Sequence, residues 1–272
     1  MTAEYALFGH PVAHSRSPAI HEAFARQTGQ DLHYRLIDCP DDDFEQRARD
    51  FFADGGAGAN VTLPFKARAL ALADEAGEAA QAAGAANTLV HLPGGRLRAE
   101  NTDGAGLVAD LVDNLGFNPA GKRILLVGAG GAAAGAIGPL LATRPAELLV
   151  ANRTPGRARQ LVARFAGEPA LHASGLDIDG PAFELVINAT SASLSGTVPE
   201  VTDSVVGPRT LCYDMFYADT PTAFLVWADL RGAGRTADGW GMMVEQAAES
   251  FRLWRGVRPD TRSLLRTRPA AG

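Results

Sequence analysis

The chain has 272 residues, 46% hydrophobic and 21% charged, which supplies enough apolar material for sizeable cores and argues against global disorder. A net charge of −6 argues against a protein that grips nucleic acid or an anionic membrane, which would normally show a basic face. The two cysteines, Cys39 and Cys212, stand far apart with no CxxC spacing, which fits a reducing, cytoplasmic setting rather than a disulfide framework or a zinc site.

The N-terminal stretch MTAEYALFGHPV carries Glu4 and no basic residues before an apolar run, so no signal peptide is expected. AEYALFG reads as a strand. SPAIHEAFARQTG reads as a helix, with Ser17 as its hydroxyl cap and Pro18 at the first helical position. LHYRLID is a second strand, followed by a helix, DDDFEQRARDFF, with Asp41, Asp42 and Asp43 at its start. GANVT is a third strand and FKARALALADEAG a third helix; NTLVHL and RLRAEN are strands joined by a Pro-Gly-Gly turn. From about residue 104 the runs GKRILLVG, AELLVANRT, FELVINATS and RTLCYDMFY are continuously apolar, as parallel strands covered on both faces should be. Helices or loops separate them, which predicts a doubly wound α/β domain ending near Gly239. Residues 124–143 lack any charge over a bilayer-spanning length, yet they contain five glycines and Pro139. They read as strand, turn and helix in a soluble chain. The last helix, GMMVEQAAESFRLWRGV, places Val244, Ala247, Phe251 and Trp254 on one face and is expected to pack back on the first domain.

GAGGAAAG, over 128–135, follows the strand RILLV and opens a helical stretch, which is the setting a dinucleotide fingerprint requires. Gly128 makes the tight turn, Gly130 lets the backbone approach a pyrophosphate, and Ala133 permits close helix–strand packing. An NAD site expects an acid about 20 residues further on. Here the second strand ends Ala151-Asn152-Arg153-Thr154, with Arg157 behind it and no acid. Two guanidiniums beside two polar side chains suit a 2′-phosphate, so the expected cofactor is NADP.

Three polar clusters lie at predicted strand ends. Ser15 and Ser17 flank a helix start, where hydroxyls and free backbone N–H groups make an anion site; Ser15 has no capping duty. Asn60 and Thr62 end a strand, and Lys66 opens the next helix, where a cation opposes the helix dipole unless something holds it. AANTLV adds Asn87, and ENTDGAG adds Asn101, Thr102 and Asp103. The combination suits a small polyhydroxy acid. His10 and His14 have a zinc-like spacing, but Pro11 and Pro18 break any helix there and no HExxH pattern is present, so no metal is expected. No GxSxG elbow marks a hydrolase.

In this order, HSRSP, NVTLPFK, AANTL, NTDGAG, GAGGAA, ANRT, NATSAS, YDMFY and GMMVEQAA resemble the shikimate dehydrogenase family, over residues 9–259. The resemblance implies reversible, NADP-linked reduction of 3-dehydroshikimate to shikimate, on the route to chorismate and the aromatic amino acids. It implies a cytoplasmic monomer or homodimer. It also implies a substrate domain built from residues 1–103 and 241–272 around a Rossmann-type domain, 104–240. Carried over by motif, Lys66 is the catalytic lysine and Asp103 its partner. Ser15, Ser17, Asn60, Thr62, Asn87, Tyr217 and Gln246 hold the substrate. Gly128, Ala129, Gly130, Gly131 and Ala132 cradle the pyrophosphate; Asn152, Arg153, Thr154 and Arg157 hold the adenosine end; Met215 and Gly239 flank the nicotinamide, and Glu78 lies near the cofactor. Ala99 departs from a glycine often found before NTDG, and the NATSAS loop varies within the family. Lys66 acts either as a base once desolvated or, protonated, as the stabiliser of an alkoxide. Gly104, Gly106, Gly239 and Gly241 read equally well as hinge or turn glycines. The rival readings are a quinate/shikimate dehydrogenase of broader specificity, a non-catalytic NADP-binding regulator, and a folate-linked oxidoreductase of the same architecture.

Overall fold

The first strand, β1 (Ala3–Gly9), is buried along its second half, and the chain builds a mixed sheet outward from it. The computed structural model describes residues 2–40 and 43–268. It divides into two units, Met1–Gly106 with Met243–Gly272, and Leu107–Met242.

In the first unit, α1 (Ser17–Thr28), β2 (Leu32–Asp38), α2 (Phe44–Ala53), β3 (Gly58–Val61) and α3 (Lys66–Leu72) follow β1. Then come β4 (Glu75–Ala76), α4 (Glu78–Ala83), β5 (Thr88–His91) and β6 (Leu97–Glu100). The sheet order is β2-β1-β3-β5-β6-β4. β1 is parallel to both β2 and β3, and β5 is antiparallel to β3 and β6. The carboxyl ends of β1, β3 and β6 and the amino end of β5 therefore share one edge. The hairpin between β5 and β6 turns at Gly94 and Gly95, both left-handed, as the Pro-Gly-Gly signal predicts. Phe8, Phe44, Phe51, Phe65, Val61 and Leu89 fill the core on one face.

Three local expectations are corrected. Ser17 is the first helical residue of α1, not its cap; Arg16 holds the N-cap position and Pro18 sits one place further in. α2 starts at Phe44 behind Asp43, which accepts from Arg47 Nε at 2.5 Å; Asp41 and Asp42 lie outside the described residues. The helix expected over 65–77 stops at Leu72. Asp74 bonds Leu97 through both backbone and side chain, at 2.9 and 2.8 Å, which draws the chain out of the helix and into β4 beside β6.

α5 (Asp103–Ala109) leads into the second unit and widens into one π-helical turn, Asp110–Asn114. There follow β7 (Arg123–Val127), α6 (Gly131–Ala142), β8 (Glu147–Ala151), α7 (Pro155–Val162), β9 (Leu171–Ser174), β10 (Leu185–Asn188), β11 (Leu211–Asp214), α8 (Ala223–Leu230) and β12 (Arg235–Ala237). All six strands are parallel, ordered β12-β11-β10-β7-β8-β9. Counted within the unit this is 3-2-1-4-5-6, the doubly wound dinucleotide fold, with its switch point between β7 and β10. The uncharged stretch 124–143 resolves into β7, a glycine turn and α6, and among the described residues no helix is long and apolar enough to cross a membrane.

α9 (Trp240–Arg255) begins in the second unit and belongs to the first from Met243 onward. There Phe251 packs edge-on against Phe24, with centroids 5.9 Å apart, and Trp254 lies 4.7 Å from Tyr5. The chain closes with α10 (Arg262–Thr267), which the sequence reading lacks.

Candidate active site

The shared sheet edge of the first unit gathers its polar clusters into one hydrogen-bonded network. Lys66 opens α3 directly after β3, and Asp103 opens α5 directly after β6; Lys66 Nζ donates to Asp103 Oδ2 at 2.7 Å. The carboxylate is what holds the amine against the unfavourable helix dipole. Asn87 Nδ2 donates to the other Asp103 oxygen at 2.8 Å, to Thr102 Oγ1 at 2.9 Å and to Gln246 Oε1 at 3.2 Å. Asn87 Oδ1 accepts from the Thr102 N–H and the Thr88 hydroxyl, both at 2.9 Å. Asn101 locks the turn by accepting from the Asp103 N–H and donating to Ala85 O.

Asn60 lies deeper, with all its polar capacity in use. Its Oδ1 accepts from Tyr34 Oη at 2.8 Å, and its Nδ2 lies 3.1 Å from Asn87 O, Thr88 Oγ1 and Ser250 Oγ. Burial pushes the Tyr34 phenol well above its ordinary value, with the Ser17 hydroxyl beside it opposing the shift. The hydrogen-bonded network thus runs from Tyr34 through Asn60, Thr88, Asn87 and Asp103 to Lys66. Tyr34, Thr88 and Ser250 are the members that sequence reading misses. Each is a lone hydroxyl in a stretch of mixed character, Tyr34 between His33 and Arg35 and Ser250 between Glu249 and Phe251, where it carries no signal.

Ser15 turns out to have a structural duty. Its Oγ accepts from the Ser17 N–H at 3.2 Å and donates to Ser17 Oγ at 3.1 Å, so it does the capping assigned to Ser17. Thr62 is half-buried, and its hydroxyl makes no hydrogen bond among the described residues. Glu78 is exposed at the start of α4 and makes no side-chain hydrogen bond among the described residues. His10 pairs with Asp38 at 3.1 Å, and no three metal-ligating side chains cluster among the described residues.

In the second unit the glycine turn follows β7 as the fingerprint requires. Gly128 has φ +123°, and a Cβ there would lie 2.9 Å from Ala189 O, so only glycine fits. Gly130 and Gly131 border open space and lead into the N-terminus of α6, whose free N–H groups suit a pyrophosphate. At the end of β8, Asn152 Nδ2 donates to Thr154 O at 3.0 Å. Arg153 and Arg157 are exposed, and their side chains have no hydrogen bond or ion pair among the described residues. A dinucleotide with a 2′-phosphate fits this edge: room above the glycines, donors at the helix start, and two uncommitted guanidiniums. Met215 follows β11, and Gly239 donates to Phe216 O at 3.1 Å; a Cβ on Gly239 would collide with Met215 O, and one on Gly241 with the Asp110 carboxylate. Close packing within this unit therefore requires both glycines. Tyr217 also belongs to this unit, edge-on to Trp240 at 5.6 Å.

Beneath that edge lies a buried polar cluster absent from the sequence reading. Asp214, fully buried at the end of β11, accepts from Ser193 Oγ at 2.5 Å, Thr222 Oγ1 at 2.6 Å, Asn188 Nδ2 at 3.2 Å and the Phe216 N–H at 3.1 Å. Burial raises its carboxyl above its ordinary value, with these bonds opposing the shift.

A parallel dinucleotide sheet in one unit and a lysine–aspartate site rich in amides and hydroxyls in the other define a nucleotide-binding α/β protein of the dehydrogenase class. Family models match along the chain: the shikimate dehydrogenase substrate binding domain over residues 7–89, shikimate / quinate 5-dehydrogenase over 110–215, and the shikimate 5′-dehydrogenase C-terminal domain over 239–266. The shikimate dehydrogenase (NADP(+)) of Aeromonas hydrophila is 51% identical over 262 residues, covering 96% of each chain. Among solved structures, an Ael1 enzyme from Pseudomonas putida is 44% identical with a TM-score of 0.93, covering 97% of both chains. The shikimate 5-dehydrogenase of Thermus thermophilus, in complex with NADP(H) and shikimate, is 30% identical with a TM-score of 0.84, again over 97% of both. The chain belongs to the shikimate dehydrogenase family.

Proposed function

We propose that this chain is an NADP-dependent shikimate dehydrogenase, which reversibly reduces 3-dehydroshikimate to shikimate. The observation that carries the reading is the Lys66–Asp103 pair, held by Asn87, which is itself bonded to Gln246, in a network of amides and hydroxyls. Bound at the glycine edge, NADP(H) supplies the hydride chemistry. Gly128, Ala129, Gly130, Gly131 and Ala132 hold its pyrophosphate; Asn152, Arg153, Thr154 and Arg157 hold the 2′-phosphorylated adenosine; Met215 and Gly239 hold the nicotinamide.

Lys66 is the group at the reacting oxygen. One of its N–H donors goes to Asp103, which leaves the others for the substrate. In the reducing direction it gives a proton, or its charge, to the carbonyl oxygen; in the oxidising direction it receives the hydroxyl proton or steadies the alkoxide. Asp103 keeps the amine in place, and Asn87 and Gln246 are further hydrogen-bonding groups for ring hydroxyls. Ser15 and Ser17 take the carboxylate, with Thr62 and Tyr217 further substrate ligands and Asn60 the strut behind them. The biosynthetic role and two buried, unpaired thiols support a cytoplasmic location.

The test is spectrophotometric: NADPH formation from shikimate, run in parallel with NAD and with quinate. Activity with shikimate and NADP that exceeds every other pairing is expected. Activity confined to quinate and NAD would overturn the reading in favour of the quinate branch of the family.

A further inference from the structure

We infer that Asp214 is a positioning residue for the nicotinamide half of the cofactor, acting through the two loops that its buried carboxylate ties together. The inference rests on the dinucleotide reading above and goes beyond it, because Asp214 itself lies beneath the edge.

Each of its four donors comes from a different place. Asn188 ends β10, Ser193 lies in the loop after it, Phe216 follows β11, and Thr222 caps α8. Asn188 is itself a relay: its Oδ1 accepts from the Thr190 N–H at 3.1 Å and the Thr190 hydroxyl at 2.7 Å, and its backbone carbonyl accepts from the Met215 N–H at 3.0 Å. The β10 loop in turn abuts the glycine turn, since Gly128 leaves no room for a Cβ beside Ala189 O. The β11 loop carries Met215 and abuts Gly239. A carboxylate removed from water is unfavourable unless well partnered, and here the partners are the loops that border the proposed cofactor site.

Strand order makes the inference selective. Asn152, Arg153, Thr154 and Arg157 follow β8, on one side of β7; the Asp214 loops follow β10 and β11, on the other. Loosening Asp214 should therefore disturb the nicotinamide half and leave the adenosine half untouched.

The experiment measures the affinity of the full-length chain for two ligands, NADPH and adenosine 2′,5′-bisphosphate, by fluorescence or calorimetry. For Asp214→Asn the NADPH Kd is expected to rise about tenfold, since the loops bordering the nicotinamide lose their fixed places, and the bisphosphate Kd to stay within about twofold. Thr222→Val should show the same split, and Thr222→Ser, which keeps the hydroxyl, should bind both ligands like the parent. The Thr222 pair decides the matter should Asp214→Asn fail to fold. Equal losses for both ligands, or no loss for either, overturn the inference. If the unaltered chain does not bind NADPH, the dinucleotide reading falls and this inference with it.

Discussion

The Lys66 ammonium makes one hydrogen bond among the described residues, to Asp103, and that economy leaves it able to act on a substrate. Lys66→Met is expected to cut turnover at least roughly hundredfold, as loss of a proton-transferring group does, with NADPH affinity within about twofold of the parent; steady-state rates and a binding titration check both halves. A variant with near-parental turnover would remove Lys66 from the mechanism. His21 is a second residue with a measurable signature. It stacks on Tyr34 at 4.4 Å, neither ring nitrogen finds a partner, and burial pushes its pKa from 6.5 down to about 3. The folded state therefore keeps the ring neutral while the unfolded state takes up a proton below 6.5. Stability is complete above that value and falls as pH drops towards 3, by roughly 1.4 kcal/mol per unit from this residue. Urea unfolding at pH 7 and pH 4.5 should show His21→Phe losing less stability on acidification than the parent; parallel losses would reject this account. At this scale Lys66, Asp103, Asn87 and Gln246 were legible through their motifs. His21, Thr88 and Ser250 were not, because only burial gives an isolated polar side chain its meaning.

Elements were legible where their period was strong and uninterrupted. β7, β8, β10 and β11 stood out as apolar runs, and the glycine turn after β7 marked the cofactor edge. β9 and β12 did not, since LHAS and RTA are short edge segments whose strand state comes from one neighbour each. The break at Leu72 was hidden for a related reason: the sequence from 65 to 77 favours a helix locally, and pairing with β6 wins only once the sheet exists. Asp214 illustrates the limit from the other side, an acid at the end of an apolar strand whose four donors are spread over 35 residues (188 to 222). The glycine turn gives the sharpest element-level expectation. Gly128→Ala places a Cβ against Ala189 O at a left-handed φ, so it should cost roughly 1–3 kcal/mol in stability and weaken NADPH binding together. Thermal unfolding and a titration of the same preparation test this, and an unchanged NADPH Kd would separate the turn from the cofactor.

For the molecule as a whole, the decisive architectural fact is that the first unit is assembled from two separated stretches of chain. Its late stretch supplies structure as well as chemistry: Phe251 fills the space beside Phe24, and Ser250 and Gln246 complete the polar network. Phe251→Ala, at a fully buried site, should cost roughly 3–5 kcal/mol, read as a lower urea midpoint with loss of shikimate turnover. Sequence reading anticipated this return of the last helix from one observation, an amphipathic segment with no strand left to follow it. The same arrangement sets the entropic cost of closing the first unit. Its aromatic packing and its polar network join residues near 24 and 87 to residues near 250, so closing that core costs more loop entropy than closing the continuous span 107–242.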